Sequence, residues 1–314
     1  MTAPIRLAVV GLGKIALDQH LPAIDGTSKF ELVATVTRGG TSSVPGVPCV
    51  SSIEELAESG IAVDAVSICT PPQVRYDIAH FAIERGWHVM LEKPPGATLA
   101  EVVALREAAG KAGVSLFATW HSRFARSVEP ARNWLKGRTL KSAKITWRED
   151  VRVWHPGQEW IWAPGGFGVF DPGINALSIA TRILPEALFV TKSELFFPSN
   201  RGSPIAALVS MRDCNGAPVE MDLDFRQEGP QHWDIEVETD AGGLKLSQGG
   251  AVLSIAGVED ETEDHALEGE YPGLYSRFAA LIRAEVSDVD VSPLRLVADA
   301  FLCGQITMVE AFDW

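Results

Sequence analysis

The sequence predicts an α/β protein: an N-terminal doubly wound parallel sheet, then a C-terminal α+β domain with an open, mainly antiparallel sheet. Three observations carry this. The first third of the chain alternates short, near-continuous apolar runs with helical patterns, as parallel strands buried on both faces require. A tight glycine turn, Gly11-Leu12-Gly13-Lys14-Ile15-Ala16, directly follows the first run. Beyond residue 122 the strand candidates lengthen and alternate polar with apolar residues.

The expected N-terminal strands are Ile5–Val10, Leu32–Val36, Val63–Cys69, His88–Leu91 and Leu116–Trp120. Asp64 and Ser67 make the third the least apolar, and Arg6 interrupts the first. Small and apolar residues at three-to-four spacing predict helices over Pro72–Arg85 and Leu99–Lys111, and Thr98 with Glu101 reads as a capping box. A helix is expected over Phe124–Leu135, then strands Leu140–Val151, Leu188–Phe197, Ile205–Arg212, Val219–Phe225, Trp233–Thr239 and Leu244–Ile255. Asn215-Gly216 and Gly249-Gly250 are hairpin-type turns. The polar stretch Gly257–Glu270 reads as a surface loop, and helices over Tyr271–Glu285 and Pro293–Ala311 close the chain. The change of pattern divides the chain into a nucleotide-binding domain, 1–122, and a substrate-binding domain, 123–314.

With 314 residues, 46% of them hydrophobic, the chain can bury a large core. A net charge of −14 argues against nucleic-acid partners and anionic membrane surfaces. Cys49, Cys69, Cys214 and Cys303 are scattered, which fits neither a disulfide framework nor a zinc knuckle. No basic leader precedes the first apolar run and no run reaches spanning length, so a cytoplasmic protein is expected.

The glycine turn has the context that its chemistry needs: a strand before it, a helix after it, and a second strand ending near Thr37. Such a turn lets a dinucleotide pyrophosphate reach backbone N–H groups at Gly11 and Gly13, with Lys14 and Ile15 opening the helix. An NAD site usually places a carboxylate about 20 residues further on, for the ribose 2′-hydroxyl. Here Thr37 and Arg38 stand in that place, followed by Gly39 and Gly40. A hydroxyl, a guanidinium and free glycine N–H groups suit a 2′-phosphate, so NADP is the expected cofactor, with NAD also accepted. Thr70-Pro71-Pro72 follows the third strand and is expected to line the nicotinamide half of the cleft.

Glu92-Lys93-Pro94 follows the fourth strand, so Lys93 is expected beside the same cofactor, at the carboxyl edge of the sheet. A lysine there costs free energy unless a site uses it or it snorkels to solvent. Asp171 and Asn175, four apart, share one face of a helix expected to start at Pro172. Asp171 then reads as the N-cap, and equally as a group that accepts a hydroxyl proton while Asn175 helps to hold that hydroxyl. The glycines at 165, 166 and 168 allow a ligand to approach closely. His121, Glu149, Trp154, His155 and Trp233 fall where a pocket is expected, among nine tryptophans in all. Aromatic faces stack on sugar C–H faces, while carboxylates and imidazoles bind hydroxyls. No His/Cys/Asp/Glu group has metal-ligand spacing, and neither a GxSxG elbow nor a P-loop is present.

These residues resemble the Gfo/Idh/MocA oxidoreductases over essentially the whole chain. The markers are Gly11-Leu12-Gly13-Lys14-Ile15-Ala16, Thr70-Pro71-Pro72 and Glu92-Lys93-Pro94, with the stretches 154–160 and 170–175 similar to the branch that acts on D-galactose and L-arabinose. The resemblance implies a Rossmann domain plus an open-sheet α+β domain, and hydride transfer from C1 of a pyranose to NAD(P)+ with an aldonolactone as product. Lys93 matches the family's catalytic lysine and Asp171 the acid of its Asp-xxx-His motif, whose histidine is Asn175 here. Asparagine cannot act as a base, so Asp171 or Lys93 must take the proton. The open sheet is where any homo-oligomer is expected to form. An inositol-type dehydrogenase acting on a ring hydroxyl and a catalytically silent, cofactor-sensing regulator are the competing readings.

Overall fold

The computed structural model describes residues 3–40, 44–259 and 269–314. They divide into two compact units, one comprising Met1–His121 with Tyr271–Val291, the other Ser122–Glu270 with Ser292–Trp314.

In the first unit, β1 (Ile5–Val10), β2 (Phe30–Val36), β3 (Cys49–Val50), β4 (Ala65–Ile68), β5 (His88–Leu91) and β6 (Leu116–Ala118) form a sheet of order β3-β2-β1-β4-β5-β6. Every neighbouring pair is parallel. This is the dinucleotide-fold order, with its switch point between β1 and β4. Helices α1 (Leu21–Asp25), α2 (Ile53–Glu58), α3 (Arg75–Glu84) and α4 (Leu99–Ala112) connect the strands. The capping box of α4 forms as its sequence predicts. Of the polar interruptions, Arg6 in β1 and Asp64 just before β4 pair with each other at 2.5 Å, with both side chains partly exposed, which explains why apolar runs tolerate them.

In the second unit, helix α5 (Val128–Leu135) precedes β7 (Leu140–Arg148), α6 (Val151–Trp154) and α7 (Phe170–Ile183). Then follow β8 (Leu188–Pro198), β9 (Ala206–Asp213), β10 (Pro218–Asp224), β11 (His232–Thr239), β12 (Gly242–Ser247), β13 (Val252–Ile255) and β14 (Val258–Glu259). After α8 (Glu270–Ala284) and α9 (Ser292–Leu302), β15 (Gly304–Val309) completes a sheet of order β14-β13-β12-β11-β7-β10-β9-β8-β15. Pairing is antiparallel except for β7 with β10 and β8 with β15. Helix α7 lies against the sheet, flanked by α5 and α9, and Gly173 lets it close on Leu223 of β10, where a Cβ would come within 2.7 Å.

Several expectations are corrected. The closing helix over Pro293–Ala311 ends at Leu302, and Gly304–Val309 pairs with β8 instead. An apolar run of this length fits either structure, and the partner strand decides. The segment 271–291, assigned from sequence to the second domain, counts with the first unit. The aromatic face of α8 is the reason: Phe278 stacks on Phe30 at 5.8 Å and on Phe117 at 6.3 Å. The stretch Leu244–Ile255 is two strands joined at Gly249-Gly250, and the expected loop Gly257–Glu270 lies mostly outside the described residues. Among the described residues, no helix is long and apolar enough to cross a membrane.

Candidate active site

Each unit carries a cluster of functional side chains. In the first, the turns after β1, β2 and β4 enclose a cleft of about 500 Å³ lined by Gly11, Gly13, Thr37, Arg38, Thr70 and Pro71, among others. Gly11 sits at φ +92° with its N–H on the Val36 carbonyl at 2.8 Å, and a Cβ there would meet Thr70 at 3.0 Å. No other residue fits that turn without strain. A Cβ at Gly13 would meet nothing within 4 Å. Thr70 Oγ1 is buried without a hydrogen-bond partner among the described residues. Open space beside a glycine backbone and an unsatisfied hydroxyl fit a bound dinucleotide.

Other expected cofactor residues stand elsewhere. Lys14 pairs with Asp18 on the surface, and Lys14, Ile15, Pro72, Glu92 and Lys93 lie outside the lining of this cleft. The Gly40 N–H is taken by the Thr37 carbonyl at 2.7 Å, so it is not free for a phosphate as its sequence suggests.

Glu92 turns inward. Its carboxylate accepts hydrogen bonds from Tyr271 Oη at 2.7 Å, Thr119 Oγ1 at 2.9 Å and the Lys93 N–H, and His20 Nε2 stands 3.9 Å away. The far side of His20 meets Tyr275 Oη at 2.8 Å. Burial opposes charge on Glu92, but the nearby His20, with the charges of His121 and Lys93, outweighs it and holds the carboxyl well below the usual range. His121 is buried and stacks on Tyr271, with ring centroids 5.3 Å apart. The buried Arg75 guanidinium donates to the carbonyls of Glu92, Pro94 and Thr70, fastening the turn after β4 to the turn that carries Lys93. Sequence reasoning missed Arg75, His20, Tyr271 and Tyr275. Arg75 opens a helix that also carries Asp77, His80 and Glu84, so its charge gave no signal.

In the second unit, Glu149 and Asp171 are each 2% exposed. Glu149 Oε1 lies 3.0 Å from His155 Nε2, and Glu149 Oε2 accepts a hydrogen bond from Trp233 Nε1 at 2.9 Å. His155 Nδ1 stands 3.7 Å from Asp171 Oδ2. Trp154 crosses Trp233 at 4.8 Å, and Trp147 stacks behind at 5.8 Å. Asp171 is not the N-cap: α7 begins at Phe170 with Val169 as cap, so Asp171 lies in the first turn, where the helix dipole favours an anion. Asn175 follows one turn later, half-buried. The glycines before Asp171 serve the chain itself, not a ligand. A Cβ at Gly166 would come within 2.1 Å of the Trp160 carbonyl, and one at Gly168 within 2.3 Å of the Pro204 carbonyl. Those approaches fold the 159–168 segment beneath the start of α7, and Val169 N–H donates to the Pro204 carbonyl at 2.8 Å.

The model of the Gfo/Idh/MocA family, described as an oxidoreductase family with an NAD-binding Rossmann fold, matches residues 5–119. A galactose 1-dehydrogenase from Pseudomonas fluorescens is 48% identical over 98% of this chain and 99% of its own length. The chain belongs to the Gfo/Idh/MocA family. A crystal structure of a D-galactose-1-dehydrogenase protein from Rhizobium etli superposes with TM-score 0.93, at 54% identity over 100% of this chain and 99% of that one. A 3-ketoreductase from Actinomadura kijaniata, in complex with NADP and TDP-benzene, shares the fold at TM-score 0.82 and 16% identity, over 98% of this chain and 99% of that one. This family member is an oxidoreductase acting on CH–OH groups, with an NAD-binding Rossmann fold. The Asp171–His155–Glu149 constellation lies outside the 5–119 match, in the part covered by the two galactose dehydrogenases.

Proposed function

We propose that the chain is an aldose 1-dehydrogenase that oxidises C1 of D-galactopyranose and L-arabinopyranose to the aldonolactone. The observation that carries this reading is the grouping of Asp171, His155 and Glu149 with the indoles of Trp154 and Trp233. Stacking surface beside buried acceptors is what a polyhydroxylated ring requires. Galactose comes from what the two similar dehydrogenases are named for. L-Arabinose comes from stereochemistry: it keeps the ring configuration and lacks only the C5 substituent, a difference that an apolar contact discriminates weakly.

The turns at Gly11–Gly13, Thr37–Arg38 and Thr70–Pro71 hold the dinucleotide, and Glu92 acts through the backbone of Lys93. When bound, the oxidised nicotinamide supplies a hydride acceptor. The protein's own task is the proton: Asp171 takes it from the C1 hydroxyl, Lys93 steadies the oxygen as negative charge develops, and Asn175 orients the hydroxyl.

The test is absorbance of reduced nicotinamide with a panel of aldoses and inositols, followed by product analysis. A lactone that hydrolyses to an acid is expected with galactose and arabinose. A ketone would transfer the reading to a ring dehydrogenase, and no reduction with any sugar would favour a cofactor sensor.

NADP preference rests on Thr37 and Arg38 lining the cleft with no carboxylate at the end of β2. Arg38→Ala removes one charge-assisted hydrogen bond to the 2′-phosphate, about 1.5–3 kcal/mol. NADP affinity is expected to fall about 10- to 100-fold while NAD affinity barely changes. Equal losses in a binding titration would sink the assignment.

A further inference from the structure

We infer that His155 relays the proton out of the site, receiving it from Asp171 at Nδ1. The inference rests on the reading of Asp171 as the group that deprotonates the sugar.

Hydrogen bonding fixes which nitrogen of the neutral ring carries the proton. An indole N–H can only donate, so the Trp233 contact makes Glu149 Oε2 an acceptor. As a carboxylate, Glu149 also accepts through Oε1, which makes His155 Nε2 the donor at 3.0 Å. The proton of the neutral imidazole therefore sits on Nε2. Nδ1 keeps its lone pair, is buried, and has no hydrogen-bond partner among the described residues. Asp171 Oδ2 stands 3.7 Å from it. Unpaired buried acceptors are costly, and a base aimed at a second base is a usual place for a proton to move. Contacts of this length commonly tighten when substrate closes the site.

Among the described residues, the charged groups facing His155 are Glu149, just beyond β7, and Asp171 in α7; beyond the end of β10 it meets the Phe225 ring, at 5.6 Å. An imidazolium formed here would face two carboxylates. His155 is also the most open of the three, its side chain 14% exposed against 3% for each acid. It is thus the member from which a proton can pass to water.

The step balances. The C1–H electron pair leaves with the hydride to the nicotinamide, and the hydroxyl O–H pair becomes the second C–O bond. The proton passes to Asp171 Oδ2 and then to His155 Nδ1; because Nδ1 is buried, the imidazolium so formed gives up its other proton, at Nε2 beside Glu149, to solvent. Asn175 has no protonation chemistry to offer in its place.

Two measurements test this. In the free protein, ¹⁵N imidazole shifts should report the Nε2–H tautomer for His155, and Glu149→Gln should scramble it. An Nδ1–H tautomer overturns the relay whatever the sugar results. In the holoenzyme, His155→Gln keeps a donor for Glu149 but cannot carry a proton. Its kcat with galactose should fall about 10²-fold, with cofactor affinity unchanged and part of the rate restored by imidazole in the buffer. A rate within a few-fold of normal, or a loss that imidazole does not relieve, overturns the relay. A wild-type chain inactive on every aldose removes the sugar reading and the relay with it, but leaves the tautomer as measured.

Discussion

Lys93→Ala is expected to lower kcat with galactose by about 10²-fold or more, with the thermal midpoint almost unchanged. The separation of the two readouts follows from how the turn is built. The Lys93 backbone N–H is held by Glu92, and the carbonyls on either side are held by Arg75. None of these bonds uses the lysine side chain, so the backbone of the turn stays fastened when the side chain is truncated. Steady-state kinetics with a melting curve decides the matter. Near-normal turnover would show that the lysine does no more than sit at the end of β5.

The second large effect falls on stability. His20→Ala is expected to cost about 3–5 kcal/mol, the usual penalty for stranding one member of a buried charge pair. His20 is 0% exposed and Glu92 3%. Burial disfavours the imidazolium, but Cys69, Tyr275 and Glu92 outweigh it and hold the His20 pKa well above the ordinary 6.5. A raised histidine contributes fully below 6.5 and loses its contribution as pH climbs through the folded-state value. A depressed carboxylate contributes fully above 4.5 and loses its contribution as pH falls toward its folded-state value. The two windows overlap between 4.5 and 6.5. Urea denaturation should therefore show the widest gap between variant and wild type in that interval, closing in acid and in base. A gap that does not vary with pH would mean that the pair is uncharged and His20 is merely packing.

What could be read from sequence was local. The buried runs of β1, β4 and β5 declare themselves by composition, and the start of α4 by two residues three apart. The glycine turn, Thr70 and Arg38 could be placed at one cleft because strand order in a parallel sheet follows from a few chirality rules. Partnerships across long separations were illegible. β15 became a strand only because β8 lay beside it, and His20 found Tyr275 across 255 residues. The glycines before α7 misled for a related reason. They mark a close approach, but the sequence does not say whether the approaching group is a ligand or, as here, the carbonyls of Trp160 and Pro204. Asp171 was found by its type and mistaken in its local role, since helix starts slip by a residue or two.

The Arg75 clamp also has a practical corollary. It couples the chain after β4 to the chain after β5, whereas the bend after β2 is closed by its own Thr37–Gly40 bond. On the proposed assignment of coenzyme choice to positions 37 to 40, substitutions there are expected to leave the turn that carries Lys93 in place.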